Sequence, residues 1–296
     1  MRTAPALLVS AALVTLTLSG CSSAPSDCLT PGDATEQVSV SGDLGSTPTV
    51  SFPTPLYAQK TQAQADIVGD GERLEGGEPV VIDWSIYDGR TGKLIEASPY
   101  DGSLGPVSSS QMLPGMARAL ECQTVGSRVV AAVAADDALG PAGGRPDLGV
   151  NKDDTLIIVL DIERAYLAKA NGADVPVVEP GFPSVVTAPD GTPGLTIPKS
   201  DAPTTAKFTT LKRGDGATVT KSSTVIAHML QASWNSRTVS QSTWSDGTPR
   251  QFAMDSVPDE VKKALIGSTV GSQLLVLVPS DNGDATIYVI DVLGVD

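Results

Sequence analysis

The sequence predicts an α+β fold built twice in tandem, each copy an antiparallel sheet with one short helix, and three observations carry that expectation. Landmarks recur in one register: Gly69-Asp70-Gly71 returns as Gly214-Asp215-Gly216, 145 residues later (214 minus 69). At the same offset Asp101-Gly102 returns as Asp246-Gly247, Ala119-Leu120 as Ala264-Leu265, and Thr124-Val125-Gly126-Ser127 as Thr269-Val270-Gly271-Ser272. A period of that length describes tandem domains rather than a solenoid. Short β-branched runs bounded by turn residues dominate each copy, with a single helical stretch among them, the pattern of an antiparallel α+β domain. The clearest stretch is Gln111 to Val133, where Pro114 has the fixed φ of a first helical turn and Met116, Ala119 and Leu120 recur at helical spacing. Thr124 to Ser127 then turns the chain, and Arg128 to Val133 reads as a buried strand.

In the first copy the strand candidates are Thr49 to Phe52, Gln64 to Val68, Val80 to Tyr87, Leu94 to Ala97, Arg128 to Val133 and Thr155 to Arg164, with a helix near Gly115 to Cys122. In the second, Ala206 to Leu211, Thr224 to Ser233, Gln273 to Val278 and Thr286 to Leu293 repeat the plan with a helix at Ser256 to Ile266. The register slips once: Asp161-Ile162 corresponds to Asp291-Val292 at 130, so the second copy lacks 15 residues (145 minus 130) between its last two strands. Asp174 to Pro203 is dense in Pro and Gly, and its polyproline bias predicts a spacer rather than a packed element. Gly69-Asp70-Gly71 reads as a β-turn.

The N-terminus reads as an address. Arg2 precedes an apolar run, Ala4 to Leu18, too short for a comfortable membrane span, and Leu18-Ser19-Gly20-Cys21 resembles a bacterial lipobox. That resemblance implies a signal peptide at 1–20, a diacylglyceryl group on Cys21, and an extracytoplasmic protein lipid-anchored to the cytoplasmic membrane. An ordinary secretion signal with a chance cysteine is the alternative. Residues 21–45, opening on a Ser/Pro-rich run, are expected to be a tether. Export puts Cys28 and Cys122 in an oxidising compartment, so a disulfide between them is expected, two buried thiols being the alternative.

A net charge of -14 leaves no basic stripe to displace counterions, which argues against nucleic-acid binding. Two remaining cysteines and one histidine make a metal centre an unpromising reading, and no cofactor is expected. His228 falls in a strand without a nucleophile beside it, and Asp136-Asp137 and Asp153-Asp154 read as solvated turns. Trp234 and Trp244 are either an exposed contact pair or packed on the sheet.

In order, the chain shows the Gly-Asp-Gly step, a strand carrying Trp84, a Asp-Gly turn, the helix start around Leu113-Pro114-Gly115, the Val-Gly turn and a closing Leu-rich strand. That order resembles the FK506-binding-protein (FKBP) type of peptidyl-prolyl cis-trans isomerase, over both copies and most of the mature chain. The resemblance implies two tandem FKBP-like domains, each a curved antiparallel sheet wrapped on one short helix: domain 1 at 46–168, a linker at 169–190, and domain 2 at 191–296 with its flap lost. It also implies a prolyl pocket in domain 1. Trp84 stands for the family's Tyr, Ile95-Glu96 for its Phe-Asp pair, and Met112-Leu113 for its apolar pair. Met116 stands for the Trp floor, Leu139 for the flap Tyr, and Leu160 for the Phe of the last strand. One aromatic position stays aromatic and the rest stay apolar. In the second copy the positions are Met229, Val239 or Ser240, Val257, Val261 and Ile290, none aromatic, which marks a structural or partner-binding duplicate.

Turning an X-Pro bond means crossing a barrier of about 18 to 20 kcal/mol set by amide resonance. It needs a dry, shaped cradle and no nucleophile, metal or base. The expected activity is therefore isomerisation of proline-containing exported polypeptides, weakened by the missing rings. The alternative is a non-catalytic peptide-binding or chaperone-like envelope lipoprotein.

Overall fold

The computed structural model describes residues 28–177 and 179–296. Residues 1–20 and Cys21, where the signal peptide and lipidation are expected, lie outside the described residues. In the first half, β1 (Ser39–Ser41) and β2 (Thr49–Ser51) form a hairpin ahead of β3 (Gln62–Ile67), β4 (Val80–Asp88), β5 (Leu94–Ala97) and β6 (Arg128–Val133). The two-residue strands β7 (Gly144–Arg145) and β8 (Val150–Asn151) pair in the loop before β9 (Leu156–Ala165). The main sheet is antiparallel, in the order β3-β6-β9-β4-β5.

Helix α1 (Pro114–Leu120) packs on this sheet and buries Gly115, Met116, Ala119 and Leu120, the face spaced one turn apart. Seven residues are too few for a helix to persist alone, so packing holds it. Met116, Ala119 and Leu120 meet Val129, Ala131, Val133, Ile158 and Leu160 from the sheet. Gly115 is required by closeness: a Cβ there would overlap the Val133 side chain. The helix ends just before Cys122, whose left-handed φ of 68° turns the chain and whose sulfur is bonded to Cys28.

β6 is buried on both faces, so something must cover Val130 and Ala132 on the side away from α1. Ala34, Val38 and Leu56 do so, and cover Ile157 of the neighbouring β9 as well. This corrects the expected tether: from residue 28 onward the segment is packed structure, because an apolar outer face cannot be left to water. The Pro/Gly-rich spacer needs the same correction. β10 (Ala173–Asp174) pairs with β13 (Lys207–Arg213), and β11 (Ser184–Thr187) with β12 (Pro193–Thr196). Phe182, Val185 and Leu195 pack against Leu275, Ile287 and Val289 on the outer face of the second sheet.

The second half continues with β14 (Thr224–Ser233), β15 (Val239–Ser242), β16 (Arg250–Ala253), α2 (Asp259–Leu265), β17 (Gln273–Pro279) and β18 (Ala285–Val295). Its sheet runs β10-β13-β17-β18-β14-β15, with β16 also on β14. Strand order β13-β17-β18-β14-β15 thus follows the same path as β3-β6-β9-β4-β5, and each half carries one α-helix just before the strand corresponding to β6. Between the halves Tyr166 packs with Val81, Ile226 and Leu293, and its hydroxyl donates to Asp296 at 2.9 Å.

The repeated landmarks make repeated contacts. Gly69 N–H donates to Ser127 Oγ (2.9 Å) and Gly69 O accepts from Thr124 Oγ1 (2.8 Å). Gly214 N–H donates to Ser272 Oγ (3.1 Å) and Gly214 O accepts from Thr269 Oγ1 (2.6 Å). The Gly-Asp-Gly step is therefore not the expected β-turn but a close crossing over the Val-Gly turn, where a Cβ on either first glycine would overlap a backbone carbonyl.

Candidate functional site

Alternation along β4 turns Ile82, Trp84 and Ile86 toward α1, and these three residues form one wall of a cleft of about 270 Å³. Ile95 and Glu96 of β5 form its side, Met112 and Leu113 lead into the helix, and Met116 is its floor. Leu139, Arg145 and Leu148 close it from the long loop between β6 and β9.

Each piece is held from behind. Trp84 N–H donates to Ser98 Oγ (3.0 Å), Ser98 N–H donates to Trp84 O (2.8 Å), and the Ser98 hydroxyl donates to buried Asp83 (2.6 Å). Met112 and Leu113 follow a 3-10 turn, Ser109–Gln111, capped reciprocally by Ser108 and Gln111. Leu139 is fixed by Gly144 N–H donating to its carbonyl (2.9 Å) and by Gly140, where a Cβ would lie 2.6 Å from Ala135 O. The loop carrying Arg145 is tied down by Arg90, which pairs with Asp154 (3.0 Å) and donates to Gly149 O (2.7 Å).

Of the residues expected in a pocket, Trp84, Ile95, Glu96, Leu113, Met116 and Leu139 line this one cleft. Leu160 does not: it sits opposite Trp84 in the strand register and is wholly buried in the core beside the helix. Leu156, on the same face of β9 nearer its start, reaches the cleft instead. Ile82, Ile86 and Leu156 were recoverable from the period of two along β4 and β9. Val107, Gln111, Arg145 and Leu148 come from loops, which carry no periodic signal.

Polar groups stand at the rim. Arg145 is held by Asp147 through two contacts (3.1 and 2.9 Å), which raises the guanidinium above its ordinary value and lowers the Asp147 carboxyl. Among the described residues Glu96 is the single carboxylate in the lining, and no nucleophile with an adjacent base accompanies it. The arrangement can therefore shelter an apolar ring or side chain and strip it of water.

At the corresponding places in the second half, Val261 and Ile290 are core residues and Met229 and Val257 pack against them, while Val239 is exposed. The short turn 280–284 joins β17 to β18 where the first half has the loop with Leu139, Arg145 and Leu148. Trp234 is buried and donates to Ser200 O (3.0 Å), and Trp244 stacks on His228 at 5.0 Å, so the pair packs on the sheet. Burial drives the His228 imidazole down to about 4. Asp137 takes Arg118 and Asp154 takes Arg90, and among the described residues no group of three or more His, Cys, Asp or Glu is placed to hold a metal.

Fold and site define an α+β protein with an apolar cleft between the sheet and helix of its first half. No family model matches the chain, and no curated protein does. Among solved structures it is similar to the three FKBP domains of wheat FKBP73 (TM-score 0.37, 15% identity, covering 80% of this chain and 94% of that one). It is also similar to the putative peptidyl-prolyl cis-trans isomerase FKBP12 of Mycobacterium tuberculosis (0.27, 24%, 32% and 86%) and to FkpA of Escherichia coli (0.29, 16%, 40% and 53%). The solved structures it resembles are of the FKBP type.

Proposed function

We propose that this chain is an exported lipoprotein of two tandem FKBP-like domains, 46–168 and 191–296. Its first domain binds proline-containing segments of exported polypeptides and isomerises their X-Pro bonds, weakly. The cleft carries the reading: Trp84, Ile95, Leu113, Met116 and Leu139, separated by up to 55 residues of sequence (139 minus 84), converge on one apolar space of about 270 Å³. A prolyl ring there loses water, and the twisted amide is favoured over the planar one by a less polar setting. The test is a proline-limited refolding assay with the chain lacking its first 27 residues. Acceleration that disappears in Met116→Asp supports the reading, and no acceleration by the wild type overturns it.

A second reading, a peptide-binding holdase without turnover, is favoured by one observation: among the described residues Trp84 is the only aromatic one lining the cleft, and no hydroxyl stands at position 139. Suppression of client aggregation without faster refolding is its signature. Insensitivity of that suppression to Met116→Asp counts against it.

Anchoring at Cys21 is supported by Leu18-Ser19-Gly20-Cys21, and export also by the Cys28–Cys122 disulfide. No helix among the described residues is long and apolar enough to cross a membrane. Incorporation of labelled fatty acid that is lost in Cys21→Ala tests the anchor.

A further inference from the structure

The second half touches the first beside the segment that leads into the cleft. Residues 105–111 leave the sheet after Val107, which pairs with Val80 (2.9 and 3.0 Å), and carry Gln111, Met112 and Leu113 into the cleft. Ahead of the helix this segment is held by its own cap, with Ser110 N–H donating to Ser108 Oγ and Ser108 N–H to Gln111 Oε1, both at 3.3 Å. Against it lies the turn Asp246-Gly247-Thr248 of the second half. A Cβ on Gly247 would stand 3.0 Å from Ser110 Oγ and 3.8 Å from Ser108 Oγ, and one on Gly105 would stand 3.2 Å from Gln251 Oε1.

That turn is stiff. Asp246 accepts from Thr248 N–H (3.0 Å) and pairs with Arg250 (2.9 Å). Thr248 N–H also donates to Thr243 O (3.1 Å). Buried Thr243 is fastened to β14 through Met229 N–H (2.9 Å) and His228 Nδ1 (2.7 Å), with Trp244 stacked on the same imidazole. The repeat supplies a contrast: Gly102, the counterpart of Gly247 in the first half, would present its Cβ to open space. We propose that the second half is a positioning element for the first, its Asp246-Gly247-Thr248 turn propping residues 108–111 and so setting the width of the cleft mouth. The inference deepens the peptide-binding reading, resting on it for its affinity measurement alone.

Gly247 has φ of 67°, a conformation that Asn tolerates, so Gly247→Asn keeps the turn and pushes a side chain onto Ser110. Two quantities are read in the full chain: affinity for a Leu-Pro peptide, and hydrogen exchange of the Gln111 and Met112 amides, which donate to Ser108 O and Ser109 O. Gly247→Asn is expected to weaken peptide binding about fivefold and speed exchange at both amides. Ser110→Gly in the same chain restores both, and Gly102→Asn changes neither. Wild-type values in Gly247→Asn, or failure of Ser110→Gly to restore them, overturn the inference. If the wild type binds no peptide, the functional reading falls, and the exchange rates still decide whether the turn is a prop.

Discussion

Arg128 and Asp161 face each other across β6 and β9 with no solvent exposure and two contacts of 2.6 Å, and the same place in the second sheet holds Gln273 donating to Asp291 at 2.8 Å. In both halves the carboxylate also accepts the backbone N–H of the segment that covers the sheet, Gly45 (2.7 Å) in one and Ala170 (2.9 Å) in the other. Arg128 further donates to Gly42 O, Asp43 O and Ser46 O. The buried carboxylate is thus a clasp, fully compensated by charge only in the first half.

Removing that compensation leaves a buried charge without a partner. Arg128→Gln is expected to lose about 3 to 5 kcal/mol at pH 7. Urea denaturation of wild type and variant at pH 7 measures this, and a loss under about 1 kcal/mol would contradict it.

The second half already has an uncharged partner, Gln273, in this place. Burial, opposed by the Ala170 and Gln273 hydrogen bonds, pushes Asp291 up from 3.8 to about 6. Its folded form holds the proton more tightly, so its contribution is complete below 3.8 and is lost as pH rises through about 6. His228 runs the other way: burial, partly offset by Asp246, takes it from 6.5 to about 4. Its folded form holds the proton less tightly, so its contribution is complete above 6.5 and is lost as pH falls toward 4. The two slopes oppose each other between pH 4 and 6. Asp291→Asn is expected to unmask the histidine, making stability rise more steeply with pH across that window than in the wild type. Thermal melts from pH 4 to 7 read the difference.

Cys28 and Cys122 close a loop of 94 residues and fasten the covering segment to the end of α1. Loop-closure entropy gives about 4 to 5 kcal/mol for a loop of this size, though strain and residual unfolded structure commonly reduce the yield. Reduction, or Cys28→Ser with Cys122→Ser, is expected to lower the melting temperature of the first half and leave the second unchanged. Protease mapping of the two halves separates these outcomes.

At Gly69 and Gly214 the obstacle to a side chain is a backbone carbonyl, which has no rotamer to move to. Gly69→Ala and Gly214→Ala are each expected to lose about 1 to 3 kcal/mol, as overpacked sites do. Gly194→Ala, whose Cβ would meet Val186 O at an ordinary 3.5 Å, serves as the control and is expected to stay within about 0.5 kcal/mol of the wild type.

Leu139 lines the cleft from the loop between β6 and β9. If the first half isomerises X-Pro bonds as proposed, Leu139→Tyr is expected to raise kcat/KM for a Leu-Pro substrate about 5- to 30-fold by supplying a donor in a water-poor site, about 1 to 2 kcal/mol. An unchanged or lower value would show that the loop does not bring position 139 over the reacting bond.

The sequence by itself determined what short range encodes. Strands Leu94–Ala97, Arg128–Val133 and Thr224–Ser233, the helix after Pro114, and the matched Gly-Asp-Gly and Thr-Val-Gly-Ser landmarks are visible in composition and period. Even the need for a cover was written in the chain, since Arg128–Val133 is apolar at nearly every position and a strand of that kind is buried on both faces. Which segment supplies the cover was not, so 21–45 read as a tether and 174–203 as a spacer. Only the tertiary structure decided that, and only it separated Leu156 in the cleft from Leu160 in the core, two residues with the same face and the same chemistry. The reason is physical: alternation fixes which side of a sheet a residue faces, while its depth beneath the helix depends on where distant strands and loops close over it.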